Sequence, residues 1–119
     1  MALRVLVADD DRAIRTALRR FLESKALWQV CGEAVNGLEA VRKSAELKPD
    51  IVILDYAMPE MNGIEAARQI FSASPRVPIL LYTAFHAAVE SGLKLADGCV
   101  RKVIRKDSPN ELLNALKAL

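Results

Sequence analysis

The chain has 119 residues, of which 52% are hydrophobic, 27% charged and 5% aromatic, the balance of one ordinary globular domain with no room for two. Seventeen Lys and Arg face 15 Asp and Glu, and a formal charge of +2 is too near neutrality to mark a phosphate-tracking nucleic-acid surface. No apolar run approaches the roughly 20 residues that cross a bilayer, and the opening MALRVLVADD turns acidic after one short run, so neither export nor membrane anchoring is expected. Cys31 and Cys99 are far apart and lie in apolar stretches, which predicts buried free thiols in a reducing cytoplasm rather than a disulfide or a metal pair. Five Gly and five Pro are scattered, with no linker, low-complexity tract or internal repeat.

Short β-branched runs alternate with longer segments whose apolar residues recur every three or four positions. Leu3 to Ala8 is the first predicted strand. A helix follows with Ile14, Ala17, Leu18, Phe21 and Leu22 as its apolar stripe and Arg12, Arg15, Arg19 and Arg20 on the wet side. Either Asp10 or Asp11 is placed to cap it. Trp28 to Ala34 reads as a more exposed strand because polar residues interrupt it, and Asn36-Gly37 breaks it before the amphipathic segment Leu38 to Leu47. Lys48-Pro49-Asp50 stops that helix, and Ile51 to Leu54 is a continuous apolar run, as expected of a strand buried on both faces.

That third strand ends on Asp55. Met58-Pro59 and Asn62-Gly63 punctuate a loop before a helix carried by Ile64, Ala67, Ile70 and Phe71. Ile79 to Tyr82 is the fourth strand, ending on Thr83. A weaker helix is expected over Ala87 to Leu95, interrupted by Gly92, and then a fifth strand within Cys99 to Arg105. Ser108-Pro109 supplies an N-cap and a first-turn proline to a final helix whose Leu112, Leu113 and Leu116 face inward. Five strand-then-helix rounds with short right-handed connections predict an α/β fold, a doubly wound parallel sheet with helices on both faces.

In such sheets sites gather at the carboxyl ends of strands. Asp9, Asp10 and Asp11 follow the first strand, Asp55 ends the third and Thr83 the fourth, so topology brings them to one rim. Crowded carboxylates raise one another's pKa and cost stability unless a cation or a lysine neutralises them. Oxygen ligands with no His or Cys at hand favour Mg²⁺. A metal-held aspartate beside a hydroxyl and a lysine is suited to accept a phosphoryl group and become an aspartyl phosphate. Taken singly, Asp9 and Asp10 fit helix capping as well as metal binding, and Thr83 fits a strand-end hydroxyl bonded to nearby backbone. Asp55 is different, because four apolar residues leading into a carboxylate and a Met-Pro turn have little structural need of the charge. Trp28, Tyr82 and Phe85 read as packing residues and His86 as a solvated loop residue.

The strings VLVADDDRAIR, PDIVILDYAMPEMNGIEAARQI, ILLYTAF and VIRKDSPNELLNAL together resemble the receiver (CheY-like) domain of two-component response regulators, over residues 1–119. The stretch from Gly32 to Ala66 is most similar to receivers of LuxR-type regulators. The resemblance implies a flavodoxin-like (βα)5 domain with a five-stranded parallel sheet ordered 2-1-3-4-5. It implies Asp55 as phosphoacceptor, Asp10 as a direct Mg²⁺ ligand and Asp9 as a ligand through water. Ala57 falls where a backbone carbonyl completes the metal shell, and Thr83 where a hydroxyl bonds the phosphoryl oxygen and reports it to the far face.

The family's lysine matches Lys106 by its local string, although Lys106 stands 23 residues after Thr83, one more than the family's interval. Ungapped counting lands on Arg105, and Lys102 in GCVRK is the competing assignment. With Lys106 as the site lysine, Val103 holds the position usually taken by Tyr or Phe in the switch, and the usual Lys-Pro is missing. The implied partners are a sensor histidine kinase, docking on the arginine-rich first helix, or a histidine phosphotransfer protein, then a C-terminal effector domain or downstream protein. Phosphorylation-dependent pairing of two copies also belongs to this picture. The reading is a switch rather than an enzyme, with slow self-phosphorylation and autodephosphorylation at most.

Three other readings compete. An aspartate-nucleophile phosphohydrolase would use Asp9 and Asp11 as an Asp-x-Asp pair, but resembles a fold that wants a larger chain, a cap and Thr or Val at Ala13. A flavodoxin-like phosphate binder would set its anion against three aspartates with no Gly-rich cradle. A receiver-shaped scaffold that works without phosphorylation is the third.

Overall fold

A computed structural model describes residues 2–85, 87, 89 and 98–119. Strands β1 (Leu3–Ala8), β2 (Trp28–Ala34), β3 (Ile51–Leu54), β4 (Ile79–Thr83) and β5 (Lys102–Arg105) form one parallel sheet in the order β2-β1-β3-β4-β5. Helices α1 (Arg12–Glu23), α2 (Gly37–Leu47), α3 (Gly63–Ala73) and α4 (Pro109–Lys117) pack on it, and the described residues Ala87 and Val89 are helical as well. The expected fold is therefore observed. The helix expected over Ala87 to Leu95 lies outside the described residues apart from Ala87 and Val89, and so does His86.

Alternation along the strands divides the core into two layers. Leu6, Ala8, Val52, Leu54, Ile79 and Leu81 face α2 and α3, whereas Val5, Val7, Ile51, Ile53, Leu80 and Tyr82 face α1 and α4. Ile51 to Leu54 are all buried, as a strand between two others requires. Strand β2 lies at the edge and alternates irregularly, because its register against β1 slips between Val5 and Leu6: Val5 pairs with Val30 but Leu6 with Gly32. Cys31 is the extra residue, a bulge that single-strand periodicity does not foresee. It is only half-buried, whereas Cys99 is buried, and both thiols are free.

Several local expectations need correction. Ala17 is exposed although it falls in the apolar stripe of α1, and Arg15 is largely covered rather than on the wet side. Phe85 is 54% exposed rather than packed, whereas Trp28 is buried as expected. Leu113 is only half-buried, with Ala115 taking the inward place beside Leu112 and Leu116. Ser108 occupies the N-cap of α4 but its hydroxyl turns to Asp107 at 3.3 Å instead of capping. Asp11, of the two candidates, caps α1 by accepting from the Ala13 N–H at 2.8 Å.

The two Asn-Gly pairs do more than break chain segments. Asn36 and Asn62 cap α2 and α3 through their side-chain oxygens, accepting from Glu39 and Glu65 N–H at 2.8 and 2.9 Å. Both glycines then open their helices against the loop that leaves β3. A Cβ on Gly63 would stand 2.1 Å from the Asp55 carbonyl oxygen, and one on Gly37 2.2 Å from that of Met61. Absence of a side chain is thus what lets the loop after Asp55 close against two helix starts. Gly63→Ala is expected to lower stability by about 1–3 kcal/mol, the cost of overpacking against backbone. Urea unfolding reads this directly, and an unchanged midpoint would mean the loop yields freely.

Candidate functional site

The sheet register builds the site. Ala8 pairs with Leu54, so the next residues, Asp9 and Asp55, leave neighbouring strands side by side. Their amides continue the ladder, Asp9 N–H donating to Ala34 at 3.0 Å and Asp55 N–H to Ala8 at 2.9 Å. Thr83 pairs with Arg105 across β4 and β5, and the Lys106 amide donates to the Thr83 carbonyl at 3.2 Å. Four polar side chains are buried among the described residues, and Asp9, Asp55 and Thr83 are three of them; Ser44 is the fourth. Burying polar groups in one place costs stability, so their concentration at the sheet's carboxyl edge marks a site.

The Lys106 ammonium lies between the two acids, 2.8 Å from Asp9 Oδ2 and 3.0 Å from Asp55 Oδ2. Each carboxylate gives its other oxygen to a backbone N–H, Asp9 Oδ1 to Asp11 at 2.9 Å and Asp55 Oδ1 to Tyr56 at 2.7 Å. Asp10 is exposed, and one oxygen from each of Asp9, Asp10 and Asp55 lies within 4.8 Å of the others. Lys102 stands at the opposite end of β5, exposed, and Arg105 is exposed and pairs with Asp107 at 3.4 Å. The ammonium brought to the acids is thus that of Lys106. Ala57 is half-buried in the loop that follows Asp55.

Burial pushes the Asp9 carboxyl above its ordinary value and Asp55 adds repulsion, while Lys106 and the Asp11 N–H only partly offset them. For Lys106, burial alone would lower the pKa, but its hydrogen bonds to Asp9 and Asp55 outweigh that and raise it. Three carboxylates against one ammonium leave an excess of negative charge that a small cation would neutralise. The donors are all oxygen and one of them faces solvent, which suits a hard divalent ion that keeps part of its water.

The Thr83 hydroxyl accepts from the Phe85 N–H at 3.1 Å, as a strand-end hydroxyl should, and its own proton is left to donate elsewhere. Thr83, Ala84, Arg105, Lys106 and Asp107 line a cavity of about 180 Å³ beside the acids. Asp11 commits its carboxylate to capping α1, which removes the second acid that an Asp-x-Asp phosphohydrolase would need.

Two supporting residues escape periodicity. Arg15 donates to the Asp9 carbonyl at 2.8 Å and to Glu33 at 3.0 Å, and Arg19 holds the other Glu33 oxygen at 2.9 Å. A helical wheel sends Arg15 to solvent, but its long stem lies along the apolar surface and its head returns to the chain. Tyr82 donates its hydroxyl to the Lys106 carbonyl at 2.7 Å. A phenol inside an otherwise aliphatic strand is the signal, since a buried hydroxyl needs a partner.

The sequence matches the response regulator receiver domain family over residues 5–117. It is 40% identical to the chemotaxis protein CheY of Thermotoga maritima over 98% of this chain and 96% of that protein. It is 31% identical to the response regulator VraR of Staphylococcus aureus over 98% of this chain but only 56% of that protein. A crystal structure of a LuxR-family two-component response regulator from Aurantimonas superposes with a TM-score of 0.89 and 31% identity, covering 99% of this chain and 84% of that one. The chain belongs to the response regulator receiver domains of two-component signal transduction. Members of this family are signalling switches rather than classical enzymes in the broad sense.

Because the fold holds Asp9 with its carboxyl raised, the stability that Asp9 contributes is present in its protonated form and is lost as pH rises through the folded value. At neutral pH, without metal, Asp9→Asn should therefore raise Tm by a few degrees, about what 1 kcal/mol shifts in a chain of this size. Asparagine still accepts from the Asp11 N–H, and Lys106 still has Asp55. Differential scanning calorimetry at pH 7 in EDTA checks it, and a fall in Tm would show that the Lys106 contact outweighs burial.

Proposed function

We propose that this domain is a phosphoacceptor switch in which Asp55 receives a phosphoryl group from the phosphohistidine of a sensor histidine kinase or a histidine phosphotransfer protein. The observation that carries this reading is a buried carboxylate ending the central strand, sharing one ammonium with a second buried acid beside an exposed third. Asp9, Asp10, Asp55 and the Ala57 carbonyl would hold Mg²⁺, which when bound supplies neutralising charge to the phosphoryl oxygens.

The chain's own residues do the rest. One Asp55 oxygen attacks phosphorus in line, the P–N bond breaks, and the departing imidazole keeps the electron pair and takes up a proton. The Tyr56 N–H fixes the carboxylate plane. Lys106 neutralises an equatorial oxygen without leaving Asp9, and Thr83 donates its hydroxyl proton to another. A new dianion at this edge then favours whichever arrangement of the loops after β3 and β4 bonds it best. Val103, buried on β5, supplies no aromatic swing, so the readout differs from a Thr-Tyr relay.

The kinase is assigned to the face of α1, where Ile14, Ala17, Leu18, Phe21, Tyr82 and Pro109 line an apolar groove of about 310 Å³ that opens beside Lys106. No helix among the described residues is long and apolar enough to cross a membrane. A cytoplasmic location follows from the proposed phosphodonor and from two free thiols. Slow transfer from small phosphodonors and slow hydrolysis of the product belong to the same chemistry. VraR extends well past the matched region whereas CheY of Thermotoga maritima does not, so output through an attached effector domain and output through a downstream protein both belong to this proposal.

Incubation with acetyl phosphate and Mg²⁺ should add one phosphoryl group, detected by intact-protein mass spectrometry. Asp55→Asn should reduce the incorporation at least about 100-fold, and chelation of the metal should do the same. Undiminished labelling of Asp55→Asn would refute the assignment.

A further inference from the structure

Lys106 is a long, flexible side chain asked to meet two carboxylates at once, and its main chain lies just past the end of β5. The amide still reaches the Thr83 carbonyl at 3.2 Å. The carbonyl is held by the Tyr82 hydroxyl at 2.7 Å. Ser108, the nearest hydroxyl downstream, turns to Asp107 instead. Tyr82 itself is 7% exposed and faces the α1 and α4 layer, on the opposite side of β4 from Thr83. It belongs to the buried cluster that holds Leu18, Ile104 and Leu112 and lines the apolar groove with Ile14 and Pro109.

Packing alone asks only for the ring, which phenylalanine would supply. The hydroxyl adds one thing, a fixed carbonyl on the residue whose ammonium joins Asp9 to Asp55. With amide and carbonyl both held, the Lys106 Cα has a set position and its stem starts from a set direction.

We propose that Tyr82 is a positioning residue for phosphoryl transfer: by holding the Lys106 carbonyl it sets the ammonium between Asp9 and Asp55, and it ties the site to the groove between α1 and α4. This deepens, and rests on, the reading of Asp55 as phosphoacceptor. A partner seated in the groove presses on the ring that places the lysine, giving docking a direct mechanical path to the chemistry. Burial raises the Tyr82 phenol above its ordinary pKa, which keeps it a proton donor.

The test compares the wild-type chain, Tyr82→Phe, Lys106→Gln and the double variant, with acetyl phosphate as donor. Tyr82→Phe keeps the ring and should lower the maximal labelling rate about five- to tenfold while leaving the Mg²⁺ half-saturation concentration unchanged. In the Lys106→Gln background the same substitution should have no further effect. A wild-type rate for Tyr82→Phe, or an equal loss persisting without Lys106, overturns the inference while leaving Asp55 as acceptor. Failure of the wild-type chain to label overturns both.

A readout independent of transfer is carboxyl and carbonyl ¹³C NMR of the unphosphorylated chain. The Lys106 carbonyl and the Asp9 and Asp55 carboxyl resonances should move together in Tyr82→Phe. Carboxyl resonances that stay in place overturn the inference, since the hydroxyl would then act on packing alone.

Discussion

One ammonium shared by two buried carboxylates organises this molecule. Lys106 reaches Asp9 and Asp55 at 2.8 and 3.0 Å where the acids are almost wholly covered, and neither acid could lie there charged without it or a metal. The arrangement is possible because parallel strands deliver their ends to the same edge. Asp9 follows a strand paired in register with the one that Asp55 ends, and Lys106 emerges from β5 two strands further along. The excess negative charge that remains is the property that suits the edge to a divalent cation, and it is the cation that would make the edge tolerable to a phosphoryl group.

Support for this edge comes from residues whose role is mechanical. Gly37 and Gly63 let the loop after β3 pack against two helix starts, which holds Asp55 and the residues after it in a narrow path. Arg15 grips the Asp9 carbonyl and is gripped by Glu33, which Arg19 also holds and whose carbonyl accepts from Lys43. The network joins α1, β2 and α2 behind the first acid. Tyr82 does the corresponding work behind the lysine. Charge held in place in this way reduces the reorganisation that the proposed phosphoryl transfer would require, which is the usual source of electrostatic catalysis.

Much of this is legible in the residues alone. The unbroken run Ile51 to Leu54 announces a central strand, and its abrupt end on Asp55 announces a charge with no structural errand. Pairing rules then carry Asp9, Asp10 and Thr83 to the same edge. Lys106 is harder, because ungapped spacing points to Arg105 and the string GCVRK makes Lys102 a competitor; the direction of β5 separates the two lysines, placing Lys102 at its start and Lys106 just past its end. The Cys31 bulge, the inward turn of Arg15 and the bond from Tyr82 were not legible in periodicity. The bulge depends on how two backbones pair and the other two on where a side chain's far end meets another segment, whereas periodicity along one strand or helix reports only where each Cβ begins. The Asn-Gly pairs mark the breaks between segments, but their close approach to the Asp55 loop is a fact of packing.

The convergence of Asp9, Asp10 and Asp55 on one cation is the claim from which the function follows, and paramagnetic Mn²⁺ reads it most directly. Substoichiometric Mn²⁺ added to the isotopically labelled chain should broaden the amide signals of residues 9–11, 55–57 and 106 first, and excess Mg²⁺ should restore them. Broadening centred on other acids, such as Glu39 and Glu46 on α2, or none at these residues, would contradict the account.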